Sequence, residues 1–158
     1  MAEYQKNQEL ELAITALGNE GEGIGHTEDG YTVFVKDALP GDQIRTKLMK
    51  CKKQYAFGRL MEIVSPSADR VEPRCKKARV CGGCQIQELS YEKQLAFKED
   101  KVRNNLIRIG GIENPPMEPI IGMEDPWRYR NKAQFPVGRN KEGRIITGFY
   151  AGLTHAII

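Results

Sequence analysis

Gln43-Ile44-Arg45-Thr46-Lys47-Leu48-Met49-Lys50-Cys51 decides the fold of the first part of the chain. Ile44, Thr46 and Leu48 alternate with Arg45, Lys47 and Lys50, and Cys51 closes the pattern. Period two in hydropathy marks a half-buried strand. Upstream, Tyr31-Thr32-Val33-Phe34-Val35 is β-branched and aromatic, lies just after the turn signal Asp29-Gly30, and leads to a second turn at Leu39-Pro40-Gly41-Asp42. Glu9-Leu10-Glu11-Leu12-Ala13-Ile14 alternates in the same way. Gly18, Gly21, Gly23 and Gly25 crowd the stretch between, and read as turns and close backbone approach rather than helix. Downstream, Ala56 to Val64 supplies a last strand. These short strands and the tight turns between them predict a small five-stranded barrel of the OB type. On a closed barrel Arg45, Lys47, Lys50, Lys52 and Lys53 face outward, either as a solvated surface or as a track for nucleic acid.

The chain has 158 residues, 40% apolar and 28% charged, which suits one ordinary domain or two small ones and a globular rather than a disordered protein. No run approaches the length of a membrane-spanning helix. The opening MAEYQKNQELEL has no apolar core of a signal peptide, so the expected compartment is the cytoplasm, where cysteines serve as metal ligands or catalysts rather than disulfides. The net charge of +3 divides unevenly: residues 1–65 carry −2 and residues 66–158 carry +5. A polyanion would therefore be expected to dock on the second part, although an excess of this size is also found on ordinary soluble surfaces.

Ser65-Pro66-Ser67-Ala68-Asp69 reads as the exit from the barrel. Cys75, Cys81 and Cys84 follow, in CKKARVCGGC. A C-x2-C pair lets one tight loop place two sulfurs on one metal, and Gly82 and Gly83 permit the close turn. Arg74, Lys76, Lys77 and Arg79 would stabilise thiolates. The spacing leaves an iron–sulfur cluster, a zinc ion and three unrelated thiols open. Fourth-ligand candidates within the chain are Cys51, His26 and His155, with Cys51 reading rather as a strand residue.

From Ser90, a plausible N-cap, the pattern turns helical. Tyr91, Leu95, Lys98, Val102, Leu106 and Ile109 make one stripe expected to face a core, and Gly110-Gly111 stops the helix. Beyond Pro115-Pro116, Tyr129–Gly138 and Arg144–Tyr150 predict a hairpin, and Leu153–Ile158 reads as the start of another strand that is cut at Ile158. The candidate nucleic-acid contacts are Arg128, Arg130 and Lys132, with Tyr129 and Phe135 as stacking partners; core packing of the two rings is the competing reading.

The residues Pro73-Arg74-Cys75, Cys81-Gly82-Gly83-Cys84-Gln85-Ile86-Gln87, Tyr91, Gln94-Leu95 and Lys98 resemble the iron–sulfur segment of bacterial uracil-C5 RNA methyltransferases, which use S-adenosylmethionine. The preceding Ile14, Gly23, Gly25, Val33-Phe34-Val35, Leu39-Pro40-Gly41-Asp42 and Pro66 to Arg70-Val71 resemble a TRAM domain, an OB-like RNA-binding barrel. Trp127 to Lys132, Gly148-Phe149-Tyr150 and Thr154-His155 resemble the family's β-rich central domain. The resemblance implies a mainly β chain with one main helix: a TRAM barrel over residues 1–65, an iron–sulfur loop over 66–89, a helix over 90–111 and part of the central RNA-binding domain over 112–158. It implies Cys75, Cys81 and Cys84 as three of four [4Fe–4S] ligands, the fourth falling a few residues past Ile158. The Rossmann-like domain that holds S-adenosylmethionine and the catalytic residues is expected to be absent from this chain, so no catalytic residue is assigned. The implied partner is RNA, ribosomal in preference to transfer RNA, bound by a monomer and without a membrane. A stand-alone RNA-binding protein with a TRAM barrel and a zinc or iron–sulfur staple is the alternative. A radical-type methylthiotransferase fits poorly, because it has C-x3-C-x2-C and carries TRAM at its C-terminus. A ferredoxin-like carrier would show four clustered cysteines.

Overall fold

A computed structural model describes residues 4–158. Five strands, β1 (Glu9–Leu17), β2 (Gly23–His26), β3 (Thr32–Val35), β4 (Gln43–Cys51) and β5 (Tyr55–Ser65), close into a barrel in the order β1-β2-β3-β5-β4. Pairing is antiparallel except between β3 and β5, which run parallel and complete the ring. The alternation expected from the sequence sorts the side chains. Leu12, Ile14, Val33, Val35, Ile44, Leu48 and Ala56 fill the interior together with Ala38. Thr46 also points inward, and its hydroxyl donates to the Arg59 carbonyl at 3.0 Å, so this buried polar group is satisfied.

One strand lies where the sequence suggested only turns. Gly23 and Gly25 are the inward positions of β2. A Cβ at Gly23 would stand 2.6 Å from the Ala38 carbonyl oxygen, and one at Gly25 would stand 2.8 Å from that of Ala13. These glycines let neighbouring backbone close over the barrel, so the strand carries no apolar alternation to read.

After the barrel, residues 66–89 form a loop of turns with one internal bridge, Arg70 to Leu89, and a second from Cys81 to Ala151. Helix α1 (Tyr91–Arg108) then begins after Ser90, whose side chain makes no capping hydrogen bond although its carbonyl accepts from Gln94 N–H. The helix stops at Gly110-Gly111 as expected, with Gly111 at φ 67°. Its apolar stripe does not reach a core: no residue of α1 is fully buried, and Ile109, just past its end, is 82% exposed. The irregular segment around Gly122–Met123 lies against Tyr91 and Leu95, Lys101 donates to the Asn19 carbonyl, and Lys98 interrupts the stripe.

The expected hairpin is much shorter than its sequence pattern. It comprises β6 (Val137–Arg139) and β7 (Ile145–Thr147), joined by a turn in which the Asn140 side chain accepts from the N–H groups of Glu142 and Arg144. Pro136 has no N–H to offer a ladder, which ends the pairing at Val137. Residues 153–158 are not a strand either. They turn back so that Ile157 bridges Tyr150. Among the described residues the chain is thus mainly β with one helix, and no doubly wound parallel sheet is present. Among the described residues no helix is long and apolar enough to cross a membrane.

Replacing Gly23 with Ala should lower stability by roughly 1–3 kcal/mol, since the atom it meets is backbone and cannot rotate away. A urea melt of the variant that overlays the wild type would contradict this account of β2.

Candidate cysteine site and nucleic-acid interface

The loop that carries the cysteines is fixed to the barrel by charge. Asp42, fully buried in the turn before β4, accepts from the N–H groups of Leu39 and Ser67 at 2.7 and 2.8 Å. Arg70 reaches it from the loop, with Nη2 2.5 Å from the carboxylate, and donates as well to the Asp37 carbonyl. The same guanidinium bonds Glu88, which Arg79 holds from the other side at 2.6 Å. Burial opposes the charge on Asp42, but Arg70 and the two backbone N–H groups outweigh it and hold the carboxyl below its ordinary range. Arg79, against a smaller opposing effect of burial, does the same for Glu88. Asp37 goes the other way, because burial raises it.

Within this frame the thiols are all free. Gln87 ties two of them together: its side-chain oxygen accepts from the Cys75 N–H at 2.9 Å, and its amide nitrogen lies 3.5 Å from the Cys84 sulfur. The Gly83 N–H donates to the Cys81 sulfur at 3.3 Å. Cys81 also forms a β-bridge with Ala151, reinforced by hydrogen bonds from Gly82 to Tyr150 and from Gly152 to Val80. The end of the described chain is therefore laid alongside the C-x2-C turn. Among the described residues no three His, Cys, Asp or Glu side chains are gathered at one point where a metal ion could be held. The donor set still suits a thiolate-ligated group, with backbone and amide N–H groups aimed at sulfur. Cys51 packs against the barrel interior at the end of β4, as its strand position suggested.

Arg128, Tyr129, Arg130, Lys132 and Phe135 lie ahead of β6 in irregular chain rather than on a hairpin face. Arg128 has φ 55°. Tyr129 is 57% exposed with the Arg130 guanidinium 5.9 Å from its ring centre, and Phe135 is 53% exposed and lies tilted against Phe149, with ring centres 4.9 Å apart. Neither ring is core. A second cation–aromatic pair, Arg74 over Trp127 at 5.2 Å, ties this segment to the cysteine loop.

A groove of about 770 Å³ separates the barrel from the cysteine loop. Phe34, Met49, Phe57 and Arg59 line one wall, and Cys81 and Cys84 the other. Sequence reading placed Phe34 and Phe57 on strands but did not single them out. The available signal was on β5, where Tyr55, Phe57 and Met61 put large apolar side chains on the face that should be polar.

Residues 3–61 match the TRAM domain model, in agreement with the barrel. The chain is 47% identical over 154 residues to a protein of Clostridium tetani named an uncharacterized RNA methyltransferase, covering 98% of this chain and 33% of that protein. A like-named protein of Halalkalibacterium halodurans is 46% identical over 157 residues, covering 99% of this chain and 34% of its own length. A third, of Listeria innocua, is 47% identical over 154 residues. The chain spans about a third of the length of these curated relatives. A solution structure of a conserved protein from Methanococcus maripaludis aligns with 37% of this chain and 81% of its own, at 33% identity and a TM-score of 0.35.

Asp42→Asn should cost about 3 kcal/mol, because it leaves the Arg70 charge under-compensated inside the protein. Since Asp42 and Glu88 are held below their ordinary values, their contribution is complete above the usual carboxylate range and lost as pH falls through the depressed values. Urea midpoints followed from neutral to acid pH should fall for the wild type, and fall less for Asp42→Asn. Parallel curves would contradict the assignment.

Proposed function

We propose that this chain is the RNA-recognition part of an S-adenosylmethionine-dependent RNA methyltransferase that acts on uracil C5, with ribosomal RNA as its substrate. The observation that supports this most is the TRAM barrel joined, in one chain, to a C-x5-C-x2-C loop that is ion-paired onto it, in a sequence nearly half identical to proteins named RNA methyltransferases. Cys75, Cys81 and Cys84 would ligate a [4Fe–4S] cluster, which would staple a loop that has little apolar core of its own. Gln87 and Gly83 would stabilise the sulfurs, and the Cys81–Ala151 bridge supports the expectation that a later part of the chain approaches the same site. Zinc in the same place is the second reading, favoured by the thiol donor set alone.

Methylation at C5 needs a thiolate to add at C6, a methyl donor and a base to remove the C5 proton, on a uracil taken out of its stack. Those groups are assigned to the two thirds of the relatives with which this chain does not align. The residues in hand bind and orient. Arg128, Arg130 and Lys132 would neutralise phosphates, and Tyr129 and Phe135 would offer rings to unstacked bases.

Arg130→Ala should weaken binding of an rRNA-derived hairpin and reduce the slope of log affinity against log salt by about one. An unchanged slope would remove Arg130 from the interface. Anaerobically prepared protein should be brown and contain iron and acid-labile sulfide, both of which fall in Cys84→Ala. A colourless protein with stoichiometric zinc would replace the iron–sulfur reading with the zinc one.

A further inference from the structure

The turn between β1 and β2, Gly18-Asn19-Glu20-Gly21-Glu22, is closed on itself. The Gly18 N–H donates to the Glu22 carbonyl at 2.7 Å, and the Gly21 N–H to the Gly18 carbonyl at 3.0 Å. The Glu22 carboxylate accepts from the Glu20 N–H at 3.1 Å. These hydrogen bonds stiffen a projection of the barrel that reaches the groove, where Glu20, Gly21 and Glu22 form part of the wall.

Gly21 is buried, and what covers it is the cysteine loop. Its φ of 87° lies in the left-handed region that favours glycine. A Cβ placed on it would stand 2.9 Å from Ile86 Cγ2 and 3.1 Å from Gln85 Cβ. Gln85 follows Cys84 directly, and its side-chain nitrogen donates back to the Gly82 carbonyl at 3.1 Å, closing the turn that contains Cys84. Gln87 then holds the Cys75 N–H and the Cys84 sulfur. The same barrel turn receives α1 as well, because Lys101 Nζ donates to the Asn19 carbonyl at 2.6 Å.

The Asp42–Arg70 pair fixes the cysteine loop near its start and, through Glu88, near its end. The Cys81–Cys84 turn lies between those anchors. A backbone stop at Gly21 sets how closely that turn can approach the barrel.

We infer that Gly21 is a positioning residue for the cysteine centre. The β1–β2 turn is the stop against which Gln85 and Ile86 close, and this contact fixes Cys84, and with it Cys81, relative to the barrel. The missing side chain is what permits the approach. A thiolate centre keeps its sulfurs in place when a packed element supports the ligating loop from outside. The barrel is thereby part of the cysteine site as well as its neighbour. This inference rests on the proposed cysteine-held group and deepens it.

The test uses the 158-residue chain, reduced and metal-free, with cobalt(II) as the probe of the thiols and 15N-labelled protein for amide spectra. Gly30→Ala is the control. Gly30 has φ 83° and nothing within 4 Å of its Cβ position, so alanine there imposes left-handed strain without a contact. Both alanine variants should lower the urea midpoint. Gly21→Ala alone should displace the amide signals of Cys81 to Gln87, weaken cobalt(II) binding about tenfold and change the sulfur-to-metal charge-transfer band. Adding Ile86→Ala withdraws the facing methyl, so the double variant should bind better than the two single losses combined. If Gly21→Ala does not keep the wild-type circular dichroism, Ile86→Ala alone decides, because it loosens the contact from the other side and should also weaken cobalt(II) binding. Equal affinity in Gly21→Ala and Gly30→Ala, with the Cys81 to Gln87 signals unmoved, would overturn the inference and leave the cysteine centre standing. A wild type that binds no cobalt(II) through its thiols would overturn the proposed centre and the role of Gly21 with it.

Discussion

The buried pair of Asp42 and Arg70 joins the barrel to the loop that carries the cysteines. Asp42 belongs to the turn that precedes β4, and Arg70 to the loop that follows β5. Two backbone N–H groups pre-set the carboxylate, and Arg70 completes it while reaching on to Glu88 and the Asp37 carbonyl. Burying ions is expensive, and hydrophobic residues of similar volume often stabilise as well. What the charges add is direction. A bidentate guanidinium fixes the angle at which the cysteine loop leaves the barrel, and Arg79, Glu88 and Gln87 carry that constraint to the sulfur-bearing turn.

Much of the barrel was legible from residue order. Alternation in Glu9–Ile14, Gln43–Cys51 and Ala56–Val64 pointed the right side chains inward, and turn residues marked most of the boundaries. The β2 strand was not legible, because its inward positions are glycines selected by backbone approach rather than by hydropathy. The helix was legible in extent but not in environment. A periodic stripe reports which side chains could be buried together, not whether anything covers them. The hairpin was over-read because alternation continues through residues that Pro136 removes from the ladder. The thiols were visible as a motif, while the ion network that positions them joins residues 28 and 18 positions apart and left no local trace.

The two aromatic regions differ in how they are held. Phe34, Tyr55 and Phe57 sit on a closed sheet, whose geometry is set by strand pairing on both sides. Tyr129 and Phe135 sit on irregular chain, steadied by one cation–aromatic contact and one ring pair. A rigid cluster of rings orders little on any contact, and a looser segment orders more.

Closure of the barrel through the parallel β3–β5 pairing leaves it with no free edge, and the β4–β5 ladder absorbs three register shifts to make that possible. A ring of strands cannot fray from one side, so its amides should open to solvent hydrogen exchange only when the whole ring opens. The β6–β7 ribbon has two open edges and exposed Val137 and Ile145, and its amides should exchange through local opening at far smaller cost. Within one short chain, the backbone thus divides into a region whose motion is tied to global unfolding and a region whose motion is its own.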